Sequence, residues 1–537
     1  MSPTAHTLLL PTSHGDMMWS LRFFALCGVL AQAGALVLDP APSANATTLC
    51  SDLAAGPVKT RLWSPLGVLD LEYQEAKTKY WSAVNADLTP ACVVFPTSAD
   101  EVSIVIAKLL LAPSVPFAVK SGGHNSNVGF ASVAGGVLIS LSDLASTTLS
   151  ADQKTADVRP GARWREAVKA LEPYGLTVVG GRIGDVGVGG FMLGGGLSFL
   201  SAQYGFACDN VVNYEVVLAN ASIINVNAQE NTDLFFALKG GGGQFGIVTK
   251  YTLKTHPIGK IWGGVRTYSR LDETALLNAT HRFVEENTDT KAAIITTTPL
   301  LLSTVLQPWT LFFFYDGIEP PPGVFAGFDN IQPLLDTAKT QSYSDLLIAN
   351  DVYSPYGLRY LYRTVTMPNL PGDIGKALYN NVFQNFKNYV ETAALPLTFI
   401  LNLAYQPLPK LISSASAAAG GNALQLNPDE GDRMVIEIDV SWATALADDV
   451  AYPTIKTISQ AIDTYTSNFS SGIPNTRSTP GNPEDTKYKP LFMNDAMADQ
   501  DPVRSYGDGS YEQLKATYEK YDPDHFFATR TGGFKYV

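Results

Sequence analysis

Charge is scarce in this chain: 16% of its 537 residues are Asp, Glu, Lys or Arg, against 46% hydrophobic. That balance excludes a disordered chain and leaves material for large cores, in two to four domains by length. What charge there is leans acidic, with 37 Lys and Arg against 50 Asp and Glu, a formal net charge of −13 and no basic cluster. Nucleic acid and anionic membrane surfaces are thereby disfavoured as partners. Histidine occurs six times and cysteine four times, with no metal-ligand spacing among them. No internal repeat is present.

The uncharged run 23–38 is sixteen residues long and broken by Gln32. It falls short of the ~20 residues of a membrane span. Arg22 precedes it and Ala31-Gln32-Ala33 supplies a cleavage site, so 1–33 reads as a secretory signal peptide. The polar residues before Met17 leave Met17 or Met18 open as the start, and a retained membrane anchor is the alternative. Secretion or an endomembrane lumen fits the sequons at Asn45, Asn220, Asn278 and Asn468. An oxidising compartment favours one disulfide, expected as Cys50–Cys92, since Cys27 leaves with the signal and Cys208 remains.

Against these absences stands an abundance of glycine, and its placement carries the information. Lys120-Ser121-Gly122-Gly123-His124-Asn125 follows a strand-like run at 115–119. Paired glycines let backbone N–H groups converge on an anion, and a histidine ending such a nest can touch what the nest holds. A second block, 180–196, has nine glycines in seventeen positions, which suggests backbone lying flat along a large planar or charged ligand. Residues 241–246 match G-x-G-x-x-G but are rejected as a Rossmann loop: a helix-like run (233–238) precedes them and a strand (247–253) follows.

Together these blocks resemble the FAD-linked oxidases of the berberine bridge enzyme-like group, whose flavin domain is of the p-cresol methylhydroxylase (PCMH) type. The matching segments run in order: Pro96-Thr97-Ser98, residues 120–125, Val158-Arg159-Pro160-Gly161, residues 186–196, Tyr204-Gly205, Asp209-Asn210-Val211, residues 233–242 and Phe245-Gly246-Ile247-Val248-Thr249. Tyr521-Asp522-Pro523 and Gly532-Gly533-Phe534-Lys535 resemble the family's C-terminus. The resemblance covers about 80–257 and about 490 to the end.

It implies FAD, with its pyrophosphate served by the backbone of Lys120 to Asn125. Its ring and ribityl chain would lie along Val186, Gly187, Val188, Gly189, Gly190, Gly194 and Gly195, and Ile247 and Val248 would complete the site. In the family the histidine matching His124 is bonded to the flavin 8α carbon. A second, cysteinyl link occurs three residues before the Val-Gly-x-Gly-Gly run; that position is Ile183 here, so the implied linkage is single, through His124. Phe191 stands where many relatives carry histidine, and Val188 where a small residue accompanies reaction with dioxygen.

The expected fold class is α+β: a PCMH-type FAD-binding domain plus a substrate domain with an antiparallel sheet backed by helices. The expected division is an N-terminal segment at 34–86, the FAD domain at 87–257, the substrate domain at 258–480, and a segment at 481–537 returning to the FAD domain. Ser98 and Glu101 have capping-box spacing ahead of an apolar helix ending at Leu111. Residues 320–323 and 413–421 read as surface loops.

Residues 435–442 alternate as a strand, with Glu437, Asp439 and Ser441 on one face. Carboxylates amid apolar neighbours acquire raised pKa values suited to a base, although a solvent-facing strand edge would carry the same pattern. The resemblance singles out Glu437, five residues before Trp442, as the base. It also implies that Asn494 approaches the flavin. The implied activity is hydride transfer from a small organic substrate, a secondary metabolite in preference to a carbohydrate, with dioxygen as acceptor. A flavin-binding protein without turnover is the competing class.

Overall fold

The computed structural model describes residues 41–65, 70–301, 308–393, 395–396, 398–467 and 489–536. The expected signal peptide, Cys27 and the Asn468 sequon lie outside them. Among the described residues the fold is α+β, built on three main sheets.

The first sheet has the order Lys59–Leu62, Cys92–Phe95, Val137–Ser140, Phe117–Lys120, its last three strands parallel. Helix Ala99–Leu110 covers its apolar side with Val102, Val105, Ile106 and Leu109, a spacing that gives one helical stripe. Ser98 caps this helix by accepting from the Glu101 N–H, while the Glu101 carboxylate reaches back to Thr97 rather than Ser98. Cys50 and Cys92 are disulfide-bonded, tying helix Ala44–Ala54 to the sheet, and Cys208 is free and buried.

The second sheet is antiparallel, in the order Thr147–Leu149, Thr155–Val158, Ile247–Lys254, Val211–Val217, Ile223–Asn227. Helix Thr232–Leu238 and strand Ile247–Lys254 flank residues 241–246, so that glycine run is a helix-to-strand link, opposite to a Rossmann loop.

The third sheet is the largest. It runs Leu335–Asp336, Ile261–Tyr268, Trp309–Tyr315, Ala292–Leu301, Ile400–Leu408, Arg433–Trp442, Arg359–Pro368, antiparallel throughout. Helices Glu273–Glu286, Gly372–Thr392 and Asp448–Ser467 supply a core for one face, where Met434, Ile436, Ile438, Val440 and Trp442 are buried. The period of two then places Val435, Glu437, Asp439 and Ser441 on the opposite face. That face meets the glycine-rich half of the chain. Trp164, Val188 and Tyr251 share one continuous core with Val265, Phe314 and Val435. The C-terminal segment closes the assembly: the Arg530 guanidinium donates to the carbonyls of Leu109, Ala112 and Val115, and the Gln244 amide donates to Gly532 O.

Two sequence expectations need correction. Residues 413–421 are not a surface loop: Lys410–Ala418 is a helix, entered through Pro409 in an extended conformation, with Ile412, Ser413 and Ser416 buried. Alanine-rich sequence reads as low complexity but has high helix propensity, and here it also has a packing partner. The 186–196 segment is not flat backbone throughout either, because Val188–Leu193 forms a short helix.

Candidate active site

Strand Phe117–Lys120 delivers the first glycine turn. Lys120 does not point into it: its ammonium donates to Ala76 O at 2.6 Å and lies 3.7 Å from the Tyr80 ring centroid. Burial lowers its pKa to about 7, so any contribution of Lys120 to a ligand comes through its backbone. Past it, Gly123 takes a left-handed φ of 69°. Among the described residues the N–H groups at 122–126 find no protein acceptor, although Gly122, Gly123 and Ser126 are buried. Successive amides left unpaired in a buried turn fit a phosphate group, because burying them without an acceptor is costly.

Three glycines, Gly122, Gly187 and Gly189, let the two blocks press together. A Cβ on Gly187 would lie 2.4 Å from Gly122 N, and one on Gly122 would lie 2.5 Å from Gly187 Cα. Gly189 N donates to Ser121 Oγ at 3.1 Å, and Ser121 donates to Pro160 O. Gly194 abuts the Asn494 side chain, whereas Gly190 faces open space. Arg163 locks the joint, donating to Gly122 O at 3.1 Å and to Asp185 O, with Tyr356 OH also 3.1 Å away. Asn125 uses its side chain to close the turn, accepting from Asn127 N.

His124 stacks on Trp81 with ring centroids 4.6 Å apart and 8° between planes. Trp81 in turn stacks on Tyr360 at 3.9 Å and Tyr362 at 4.8 Å, and its backbone N–H donates to Gly123 O. Ser354 Oγ lies 3.3 Å from His124 Nε2. Burial, and secondarily the Arg163 charge, lower the imidazole pKa to about 4, so His124 is neutral near pH 7.

The aromatic stack leads to the carboxylates. Tyr362 pairs in register with Asp439, whose carboxylate accepts from Asn402 Nδ2 at 2.8 Å, and Asn402 Oδ1 accepts from Thr297. Ala404 is opposite Glu437, and its small side chain leaves room for Gln406 to reach across diagonally. The Gln406 amide donates to Glu437 Oε2 at 2.8 Å and to Asp495 Oδ2 at 2.7 Å, while its oxygen accepts from Arg182.

Burial raises Asp439 to about 7 and Asp495 to about 6, with Arg182 and the Gln406 amide opposing the rise at Asp495. Glu437 is pushed well above the carboxylate range by burial, then by the Asp495 and Asp439 charges. Tyr362, enclosed beside three carboxylates, is likewise held protonated. Such a cluster can hold and exchange a proton among Glu437, Asp495 and Asp439 and can donate a hydrogen bond from Tyr362.

The strand face carrying Glu437 and Asp439 was legible in sequence, whereas Arg182, Gln406, Asp495, Tyr362 and Trp81 were not singled out. They come from separate segments: Gln406 and Tyr362 arrive by sheet register, and Arg182, Asp495 and Trp81 by the packing of loops and turns against that face. Trp442, used as a spacing marker, sits on the other face with its indole N–H on Asp448. Asn494 lies in the Met493–Asp495 turn, accepting from Gly196 N and donating to Phe191 O, both at 3.1 Å. Its side chain clamps the second glycine block. Phe191 packs edge-on against Trp164, Val188 is fully buried, and Ile247 and Val248 are buried opposite Val217 and Val216.

Residues 90–227 match the FAD binding domain family. An uncharacterized FAD-linked oxidoreductase of Arthroderma benhamiae is 38% identical over 466 residues, covering 86% of this chain and 91% of the relative. The FAD-dependent monooxygenase drtC of Aspergillus calidoustus is 33% identical over 472 residues, covering 87% and 86%. Among solved structures, a berberine bridge enzyme variant superposes with a TM-score of 0.66 at 19% identity, covering 90% of this chain and 98% of that one. Xylooligosaccharide oxidase from Myceliophthora thermophila superposes at 0.70 with 17% identity, covering 92% and 100%. The chain belongs to a family of FAD-linked oxidoreductases that carry this FAD-binding domain, and it shares the fold of berberine bridge enzyme. FAD is the cofactor that the matched domain takes, and the unpaired amides and the abutting glycine blocks fit it.

Proposed function

We propose that this chain is a flavoprotein oxidase acting on a small, largely apolar secondary metabolite, with FAD linked to the protein through His124 alone. The observation that carries the proposal is the alignment of two halves. The amide nest and His124 lie at one end of the Trp81–Tyr362 stack, and half-buried carboxylates lie at the other. Ligand sites favour such seams between domains.

Bound FAD would supply a hydride acceptor for the substrate and a route for its electrons to dioxygen, with hydrogen peroxide as the product. The protein's own part is binding, orientation and proton handling. Residues 122–126 offer amides to the pyrophosphate, and Trp81 and Ser354 fix the His124 ring. Glu437 takes the substrate proton, with Asp439 beside it. Phe312 and Tyr353 meet edge-on at 5.2 Å, and an aromatic surface there would suit an apolar substrate. The exposed sequons at Asn45 and Asn220 and the disulfide support a secreted or lumenal protein. No helix among the described residues is long and apolar enough to cross a membrane.

Acid precipitation tests the linkage. The pellet should stay yellow, and His124→Ala should release its flavin to the supernatant; a colourless wild-type pellet would overturn the linkage. Photoreduced protein should recolour within seconds of admitting air and form one peroxide per flavin. Sluggish recovery would exclude an oxidase. Peroxide release across oligosaccharide and polyketide or alkaloid panels then sets the substrate class, and strong turnover of a sugar would reverse the preference stated here. Incorporation of labelled oxygen into product would assign a monooxygenase instead.

A further inference from the structure

Gln406 is placed to couple two carboxylates that lie far apart in sequence. A primary amide has two N–H protons and one acceptor oxygen. Both protons are committed, to Glu437 at 2.8 Å and to Asp495 at 2.7 Å, and the oxygen accepts from Arg182. The opposite amide orientation would set the oxygen against two carboxylates and the NH2 against a guanidinium. Every contact would then repel, so the network fixes the orientation.

Two carboxylates thus meet at one nitrogen, deep between the sheet and the glycine block, with one facing cation. Arg182 is itself held by Asn350, which donates to its carbonyl at 3.0 Å. The other charged or titratable groups facing the pair are Asp439 on the same strand and Tyr362 on the neighbouring one. Neither supplies a positive charge. With both carboxylates ionised the enclosed cluster has one cation for two anions, or three with Asp439. One proton shared by the pair restores charge balance with Arg182, and like-charged carboxylates so placed lose their protons in two separated steps.

We propose that Glu437 and Asp495 act as one proton-holding unit, bridged by Gln406 and faced by Arg182, that carries a single proton between them. The proposal rests on the reading of Glu437 as the base and extends it. With the shared proton on Asp495, Glu437 takes the proton that substrate loses, the unit then holds two, and one is returned to solvent before the next turnover. Asp495 is a positioning residue that acts on Glu437 through the Gln406 amide.

The test uses the FAD-loaded protein without substrate. Infrared pH titrations follow protonated-carboxyl absorption, taken as wild type minus Glu437→Gln and wild type minus Asp495→Asn. Each difference should show a protonated-carboxyl band near neutral pH. In Asp495→Asn the Glu437 midpoint should fall by at least about one pH unit, a tenfold loss of proton affinity, and Glu437→Gln should lower the Asp495 midpoint reciprocally. Midpoints that ignore the partner's substitution would overturn the proposal.

Gln406→Met gives an independent arm, since it removes both donors at similar volume. Both midpoints should rise, and unchanged midpoints would again overturn the bridge. Because no substrate is present, these results stand apart from the base assignment. Unimpaired flavin reduction in Glu437→Gln would remove Glu437 as base and leave the infrared coupling to be judged alone.

Discussion

The two sides of the cleft are built by opposite means. The cofactor side is backbone: two glycine blocks pressed together so closely that a Cβ on Gly187 would lie 2.4 Å from Gly122 N, with unpaired amides in the turn between strand and His124. The carboxylate side is side chain: Glu437, Asp439, Gln406, Asn402 and Tyr362 project from three strands, and Asp495 and Arg182 arrive from elsewhere. A backbone site demands particular residue types at adjacent positions. A side-chain site demands only that different segments arrive at one place.

The largest effect should come from breaking the backbone side. Gly187→Ala forces a methyl group into the Gly122 backbone, which has no rotamer with which to yield. Loss of nearly all flavin from the purified protein is expected, read as absorbance per mole of chain. Gly190→Ala is the internal control for packing: its Cβ meets no protein atom within 4 Å and it lies within helix Val188–Leu193, so Tm should stay near wild type. An equal fall in Tm in both variants would mean that glycine density matters for flexibility and not for the contact between blocks.

That contrast also explains what could be read from the sequence. Turn, histidine and glycine block were legible because their geometry is local: Gly123 needs φ of 69°, and Gly122 and Gly187 need the absence of a Cβ. The α+β class and the helix-backed antiparallel sheet were legible from alternation and capping. The reason for the glycines was not, because they serve long-range contacts: between the blocks at Gly122, Gly187 and Gly189, and with Trp164, Phe191 and Asn494 elsewhere. On the other side, alternation placed Glu437 and Asp439 on one face. Nothing in the neighbourhood of residues 182, 406 or 495 announces that they converge, since that depends on the register that sets Gln406 diagonal to Glu437 and on long-range packing that brings Arg182 and Asp495 to it. The 413–421 stretch was misread because composition alone does not show the packing that makes it helical.

A smaller effect should follow from breaking the side-chain half. Glu437→Gln keeps the volume and the capacity to accept from Gln406, so flavin content should be unchanged. Flavin reduction by substrate in anaerobic stopped flow should slow by ~10²–10⁴, the usual cost of losing a general base. An unchanged rate would shift the role to Asp439 or to Tyr362 with solvent. This variant and Gly187→Ala together test whether the halves separate: one should lose cofactor, the other only chemistry.

The smallest effect concerns stability. Burial raises Asp439 to about 7, from the ordinary value of 3.8 that an unfolded chain would show. Between those values the folded protein binds more protons than the unfolded one, so stability falls as pH rises through that window. Above about pH 7 the folded state carries an ionised Asp439 whose only hydrogen-bond partner among the described residues is Asn402. Asp439→Asn removes that charge and keeps an oxygen to accept from Asn402. At pH 8 the variant should therefore gain stability, on the order of 1–2 kcal/mol and a few degrees in Tm. Below about pH 3.8, where Asp439 is protonated in the folded and the unfolded chain alike, the gain should vanish. A gain of equal size at both values would mean that Asp439 is not titrating in this window. A loss at pH 8 would mean that its charge is stabilised by the cleft instead of merely tolerated.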